Sequence, residues 1–310
     1  MKLRTFGILA ALSVGAIIML FPLWWMFVVS LATPEEATSA GATTEGLKVW
    51  PKSWLWGNYA EALAKFGANP DVASVEKDAS AFARLEHAFE TFPTKYRGFL
   101  DAFSNTVVIT VLSVIGQVIS CSMVGYGFAR LRFRGRQPLF LLMISTMMLP
   151  AQVTMIPLFI LFRSFGWIDT ILPLVVPMFF GTPFYIFMFR QFFAQVPEAL
   201  VEAARIDGCG HLGIWWRIML PICKPVIAIT AVFTFVFVWN DFLNPLIYLH
   251  SEEQMTLAVA LNSFKNQYGD FRDAHLLMAA SIVTMIPCIV LFFIAQRQFV
   301  GGLSMGAVKG

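Results

Sequence analysis

Six stretches of the chain run almost without interruption in apolar residues: Phe6–Leu31, Ser104–Ala129, Pro138–Phe162, Ile171–Phe193, Pro225–Leu249 and His275–Gln296. Each is near the roughly 20 residues that a helix needs to cross ~30 Å of hydrocarbon. The pattern predicts six membrane-spanning helices. Proline lies inside several of them, at Pro150, Pro157, Pro173, Pro177, Pro183 and Pro287. A spanning helix tolerates this where neighbours satisfy the freed carbonyls, and Pro287 predicts a kink in the last span. The first run follows MKLR, and Ser30-Leu31-Ala32 has the small-x-small form of a leader cleavage site. A leader's apolar core is only about 7–15 residues long, so this run is read as an uncleaved first span.

Between the first two runs, Ala32–Phe103 is mixed in character. Gly57–Phe66 and Asp71–Phe92 show helical apolar spacing, with Val72, Val75, Ala79, Phe82, Leu85 and Phe89 recurring every three or four residues. This predicts a small helical cap. The aromatic content of WLWGNY and FETF argues against a disordered tether.

Composition narrows the class. The 310 residues are 58% hydrophobic and 13% charged, with mean hydropathy +0.70; soluble domains carry about 25% charged residues. A water-soluble fold is excluded. The net charge of +3 is too small for a nucleic-acid footprint, and its distribution is more informative than its size. Arg130, Arg132, Arg134 and Arg136 fill the link after the second span. Arg190, Arg205, Arg217 and Lys224 border or lie within the link 194–224, and Lys2 and Arg4 precede the first span. The opposite links hold Arg163, Lys265 and Arg272, offset by Asp169, Glu252, Glu253, Asp270 and Asp273. The positive-inside rule then places both termini and residues 194–224 in the cytoplasm, and 32–103 outside.

Catalytic chemistry is not visible. Cys121, Cys209, Cys223 and Cys288 match no zinc or thioredoxin spacing. His87, His211, His250 and His275 are scattered, with no HExxH motif and no GxxxxGK[ST] phosphate loop. Neither a metal nor a cofactor is expected on this chain, and the energy for any active process must come from a partner.

One segment stands apart from its greasy surroundings: EAARIDGCGHLGIWWRIMLP, Glu202–Pro221. Pro197 suits a first helical position and Glu198 the positive end of a helix dipole. Gly208 sits where a helix would end in a left-handed residue. A second short helix fits His211–Met219, stopped by Pro221. Ala203 and Ala204 permit close backbone approach, Glu202 offers an acceptor in a basic neighbourhood beside Asp207 and Gly208, and Trp215 and Trp216 suit the headgroup level. A generic interfacial amphipathic helix explains such a stretch as well. The full spacing is more specific: EAA, three residues, Gly, nine residues, Ile, one residue, Leu-Pro, met by Glu202, Ala203, Ala204, Gly208, Ile218, Leu220 and Pro221.

On those residues the chain resembles the permease subunits of bacterial ABC importers, and is most similar to the smaller of the two maltose-type sugar permeases. ARLRFRGR, WNDFL at Trp239–Leu243, NTVVIT at Asn105–Thr110, the stretch around Pro150–Pro157 and the ending Gln296–Gly310 carry the same resemblance. Two places depart from it: Cys209 stands where alanine is usual, and about 69–95 is longer than in typical members.

The resemblance implies an all-α integral membrane protein of the type I ABC importer permease fold. Six transmembrane helices, both termini cytoplasmic, would carry a small helical periplasmic insertion after helix 1. The parts are 1–31 (first span), 32–103 (periplasmic segment), 104–297 (permease core, with the cytoplasmic EAA loop 194–224) and 298–310 (C-terminal tail). It implies that the EAA loop docks on an ATP-hydrolysing cassette, and that the tail, with Gly301, Gly302, Gly306, Lys309 and Gly310, reaches between two cassettes. Expected partners are a second homologous permease, two cassette subunits that bind ATP and Mg, a periplasmic binding protein and the bilayer of the bacterial inner membrane; nucleic acid is not among them.

Trp239, Asn240, Asp241 and Asn244 fall in the outer half of span five. A carboxylate at that depth costs at least about 2.5–3.5 kcal/mol unless it faces water or a partner. They line a sugar path, or they clamp the helix break at Pro245, or Asp241 reaches the outer interface. Cargo remains open between a sugar or oligosaccharide and a polyol, glycerol phosphate or acidic oligosaccharide. An ion-driven secondary transporter would show charged relays and internal repeats, and a membrane enzyme a convergent His, Asp or Glu set; neither pattern is seen.

Overall fold

The computed structural model describes residues 2–37, 50, 53–65, 97–268 and 273–306. Among them the regular structure is entirely helical. The predicted helix Asp71–Phe92 lies outside the described residues. The chain divides into two compact units, Met1–Ala102 with Val259–Ile286, and Phe103–Ala258 with Pro287–Gly310.

In the first unit the helix Lys2–Ser30 runs through Pro22. Its apolar side chains up to Leu23 are mostly exposed, Phe6 at 75% and Met19 at 78%, which suits lipid and not water, whereas Val28 and Val29 are buried. Its end is tied down by the start of the short helix Gly57–Lys65. Asn58 Nδ2 donates to the carbonyls of Ser30 and Ala32, each at 2.9 Å. Ser30 Oγ meets Tyr59 Oη at 2.8 Å, and Leu55 N–H donates to Leu31 O at 3.0 Å. Asn58 thus satisfies carbonyls that a helix end leaves without partners. Trp24, Trp50, Trp54, Trp56 and Tyr59 form a chain of ring contacts beside it.

The second unit holds most of the remaining helices. The helix Arg97–Arg130 begins seven residues before the predicted Ser104 start and crosses the unit boundary. The third apolar run is not one straight span. Arg136–Met148 and Ala151–Ser164 meet at 99°, because Pro150 has no amide proton and pushes Leu149 into an extended conformation (ψ 118). The fourth run breaks at Gly181 (φ +81), between a 3-10 turn Val176–Phe180 and the helix Pro183–Gln195. The fifth is Lys224–Trp239 followed by Leu243–Tyr248. The last helix, Ala274–Gly306, continues through Pro287.

Among the described residues four helices are long and apolar enough to cross a membrane, or up to six spans if each of two bent pairs counts as one. The chain is a multi-pass membrane protein.

The second and fourth runs pack closely. A Cβ on Gly125 would lie 2.7 Å from Phe189 Cβ and 3.1 Å from Arg190 N; one on Gly116 would strike the Phe179 ring at 2.5 Å. Small residues at such positions allow membrane helices to approach. The Gly181 break is held from the second helix: Ser120 Oγ–H donates to Met178 O at 3.2 Å, and Thr182 N–H to Cys121 Sγ at 3.3 Å.

At another edge of this unit Asp169, at φ +62, joins two loops. Its Oδ1 accepts the amides of His250 and Ser251, each at 2.9 Å, and its Oδ2 accepts the Ser251 hydroxyl. These donors hold the carboxyl at a pKa of about 2, below its usual value of 3.8.

Candidate functional site

The segment 197–223 folds as helix, turn, helix. The first helix is Glu198–Ile206, with extended Pro197 (φ −56, ψ 136) as its N-cap; it begins one residue later than the predicted Pro197 start. Its end is a complete Schellman closure. Gly208 takes φ +81, its N–H donates to Arg205 O at 3.0 Å, and the Cys209 N–H donates to Ala204 O at 2.9 Å.

The second helix starts at His211 as expected but does not stop at Pro221. It runs to Ile222, bent 82° from Lys224–Trp239. It passes the proline through a π-helical stretch, Trp215–Met219, in which the Leu220 N–H reaches Trp215 O. A proline ring clashes with the carbonyl four residues back, and the wider π turn lets the helix pass.

The two faces of this unit differ. Val201, Ala204, Ile214, Trp215, Met219 and Cys223 sink into a core with Tyr126, Phe189 and Phe193. Glu202, Ala203, Asp207, Gly208 and Pro221 are exposed. Ile218 and Leu220 are half-buried against the core. This corrects two expectations. Ala204 is 5% exposed, so it faces the bundle and not a partner; it shares a face with Val201, three residues before it. Trp215 is buried, and Trp216, at 61% exposure, alone of the pair is free to meet headgroups.

Sequence reasoning missed the residues that make the outer face apolar. Ile206 is 87% exposed and Leu212 69%, with Leu200 at 47%. For Ile206 the signal was available: two residues after Ala204 and five after Val201, it is out of phase with both.

The residues expected at a path or at a clamp lie where Lys224–Trp239 ends and Leu243–Tyr248 begins. Trp239 is buried, stacked on Phe235 (5.1 Å between ring centroids) and edge-on to Phe103 (5.9 Å). Asn240 Nδ2 donates to Val236 O at 2.8 Å. Asp241 receives the Asn244 N–H on Oδ1 at 3.2 Å and its Nδ2 on Oδ2 at 2.8 Å. Both bonds go to the first turn of the helix Leu243–Tyr248, which carries Pro245. Beside it Thr106, Ile109, Leu174, Met178, Val238, Pro245 and Thr256 enclose about 10 Å³, room for one water at most and none for a sugar ring.

Gly301, Gly302 and Gly306 lie on the last helix, which extends beyond the expected start of the tail at 298. Lys309 and Gly310 lie outside the described residues. Among the described residues no three His, Cys, Asp or Glu side chains are grouped to hold a metal.

A set of apolar helices carrying a helix–turn–helix with exposed apolar side chains of its own defines a polytopic membrane protein. The chain belongs to the family of binding-protein-dependent transport system inner membrane components, whose model matches residues 121–304. It is 38% identical over 208 residues to the arabinooligosaccharides transport system permease protein AraQ of Halalkalibacterium halodurans, covering 67% of this chain and 74% of that one. It is 33% identical over 239 residues to the maltodextrin transport system permease protein MdxG of Bacillus subtilis, covering 77% and 85%. A crystal structure of a bacterial ABC transporter involved in the import of alginate contains a chain of the same fold. It has TM-score 0.72 and 23% identity, and covers 95% of this chain and 96% of that one.

Proposed function

We propose that this chain is a permease subunit of an ATP-driven importer and forms half of the path for a sugar or oligosaccharide. The observation that carries the reading is the two-faced helix–turn–helix. Its inner face is part of the bundle core, and its outer face presents Ile206, Leu212, Ala203 and Glu202 to a partner. Exposed apolar side chains beside a stiff turn suit a groove on another protein, and burial on the inner face means that a push is passed to the spans. The bundle would have six spans, each bent pair counted once, with both termini and residues 194–224 in the cytoplasm and 32–103 outside.

The partners in this reading are a second permease of the same family, two cassettes that bind ATP and Mg, and a periplasmic binding protein. Catalysis belongs to the cassettes. The setting is the bacterial inner membrane. Family membership and relatives that carry arabinooligosaccharides and maltodextrin in their names support an oligosaccharide cargo. A polyol, glycerol phosphate or acidic oligosaccharide stays the alternative, favoured by the alginate importer of like fold.

The test is co-expression with the neighbouring genes and purification on a tag carried by this chain. Stoichiometric cassettes with ATP hydrolysis, uncoupled by Glu202→Lys, support the reading. A solitary chain without ATPase activity refutes it.

A further inference from the structure

We propose that Arg130 is a positioning clamp that makes the second long helix and the helix–turn–helix move as one body. This rests on the transport reading above and names a residue through which that motion passes.

The chain leaves the helix Pro183–Gln195 through Val196 (φ −66, ψ 130) and Pro197 (φ −56, ψ 136) before entering Glu198–Ile206. Two extended residues in a row form a swivel. Pro197 has no amide to donate, and the Val196 N–H makes only a long bond, 3.4 Å, to Phe193 O. A handle joined to its bundle by a free swivel would turn without moving the spans.

Arg130, the last residue of Arg97–Arg130, closes this swivel. Its Nη2 donates to both Phe193 O and Val196 O. One acceptor is in the last turn of the span and the other is at the swivel itself. These carbonyls lie at the negative end of a helix dipole, where a cation is favoured. One helical turn earlier on the same face, Tyr126 makes a second grip. Its ring is edge-on to Phe193, with centroids 6.2 Å apart and planes at 89°. Its hydroxyl lies 3.4 Å from Nδ1 of His211, the first residue of the handle's second helix. One face of the second long helix therefore holds both the root of the handle and its far limb.

The experiment uses the complete transporter in lipid vesicles. ATP hydrolysis is measured with and without its binding protein, supplied with a mixture of arabino- and malto-oligosaccharides. With Arg130→Ala the cassettes are expected to stay bound and basal hydrolysis to persist. Stimulation by the loaded binding protein falls about 2- to 30-fold, the range of coupling effects for residues between sites. Arg130→Lys restores part of it, since a single ammonium on a shorter stem still reaches one carbonyl. Arg132→Ala, the exposed neighbour of equal charge, changes nothing.

Unchanged stimulation in Arg130→Ala overturns the clamp. So does loss of the cassettes in both Arg130 variants, which would make the contact a folding element only. Hydrogen exchange on the wild-type transporter is the second, mutation-free measurement. The Arg130 guanidinium protons, followed by NMR, are expected to exchange slowly with and without ATP, and fast exchange in either state overturns the clamp. A wild-type transporter that shows no stimulation counts against the transport reading, and the exchange result then decides the clamp alone.

Discussion

The Cys209 amide donates to the Ala204 carbonyl at 2.9 Å across a left-handed Gly208, and this one closure sets the angle between the two limbs of the handle. A Cβ at Gly208 would meet nothing within 4 Å, so the constraint is on the backbone and not on packing. The left-handed conformation costs an L-residue about 1–2 kcal/mol. Gly208→Val is expected to insert normally but to retain fewer cassettes in a pull-down, and Gly208→Asn to lose much less. Equal retention in all three proteins would remove the turn from the docking argument.

Ala203 and Ala204 are neighbours in sequence, about 100° apart around the helix, and one is exposed and the other buried. Ala204→Leu is expected to over-pack the core against Phe189 and Phe193 and to lower stability by about 1–3 kcal/mol, read as a lower thermal midpoint in detergent. Ala203→Leu and Ile206→Asp should leave that midpoint unchanged and weaken cassette association, by at least about 2 kcal/mol if Ile206 is an interface anchor. The reverse pattern would mean that the handle docks by its other face.

Asn58 donates one amide to two carbonyls at the end of the first span. Asn58→Ala leaves both without that donor at a buried site, at a cost of about 1–3 kcal/mol. The expected sign is faster proteolysis near Trp54 at unchanged expression. Wild-type resistance would show that water replaces the side chain.

Asp169 gives a pH dependence. Its folded pKa of about 2 lies below the ordinary 3.8, so its contribution to stability is complete above 3.8 and is lost as pH falls toward 2. The difference in thermal midpoint between wild type and Asp169→Asn is expected to be flat from pH 7 to about 4 and to shrink below it. A difference that grows on acidification would contradict the loop contact.

Asp241 accepts the Asn244 N–H on one oxygen and the Asn244 side-chain amide on the other; an asparagine oxygen keeps the backbone bond and loses the second. Asp241→Asn is expected to assemble and transport near the wild-type level, whereas Asp241→Ala loses a cap worth about 0.5–2 kcal/mol. A transport defect in Asp241→Asn at full stability would restore the path reading.

The pattern of apolar runs, by itself, determined that the chain is helical and embedded. Long runs with few charges have no other stable state in lipid, where every backbone group must be satisfied within the helix. It also determined the helix–turn–helix, because Pro197, Gly208 and the Ala-rich stretch act locally. The sequence did not show the 99° break at Pro150 or the passage of a helix through Pro221, since a proline only removes a bond and its neighbours decide whether the helix bends, widens or ends. Nor did it separate Ala203 from Ala204, or assign Asp241 to its cap and Arg130 to two distant carbonyls. Those assignments follow from which surfaces meet when the helices pack, and alternation along one helix does not contain that information.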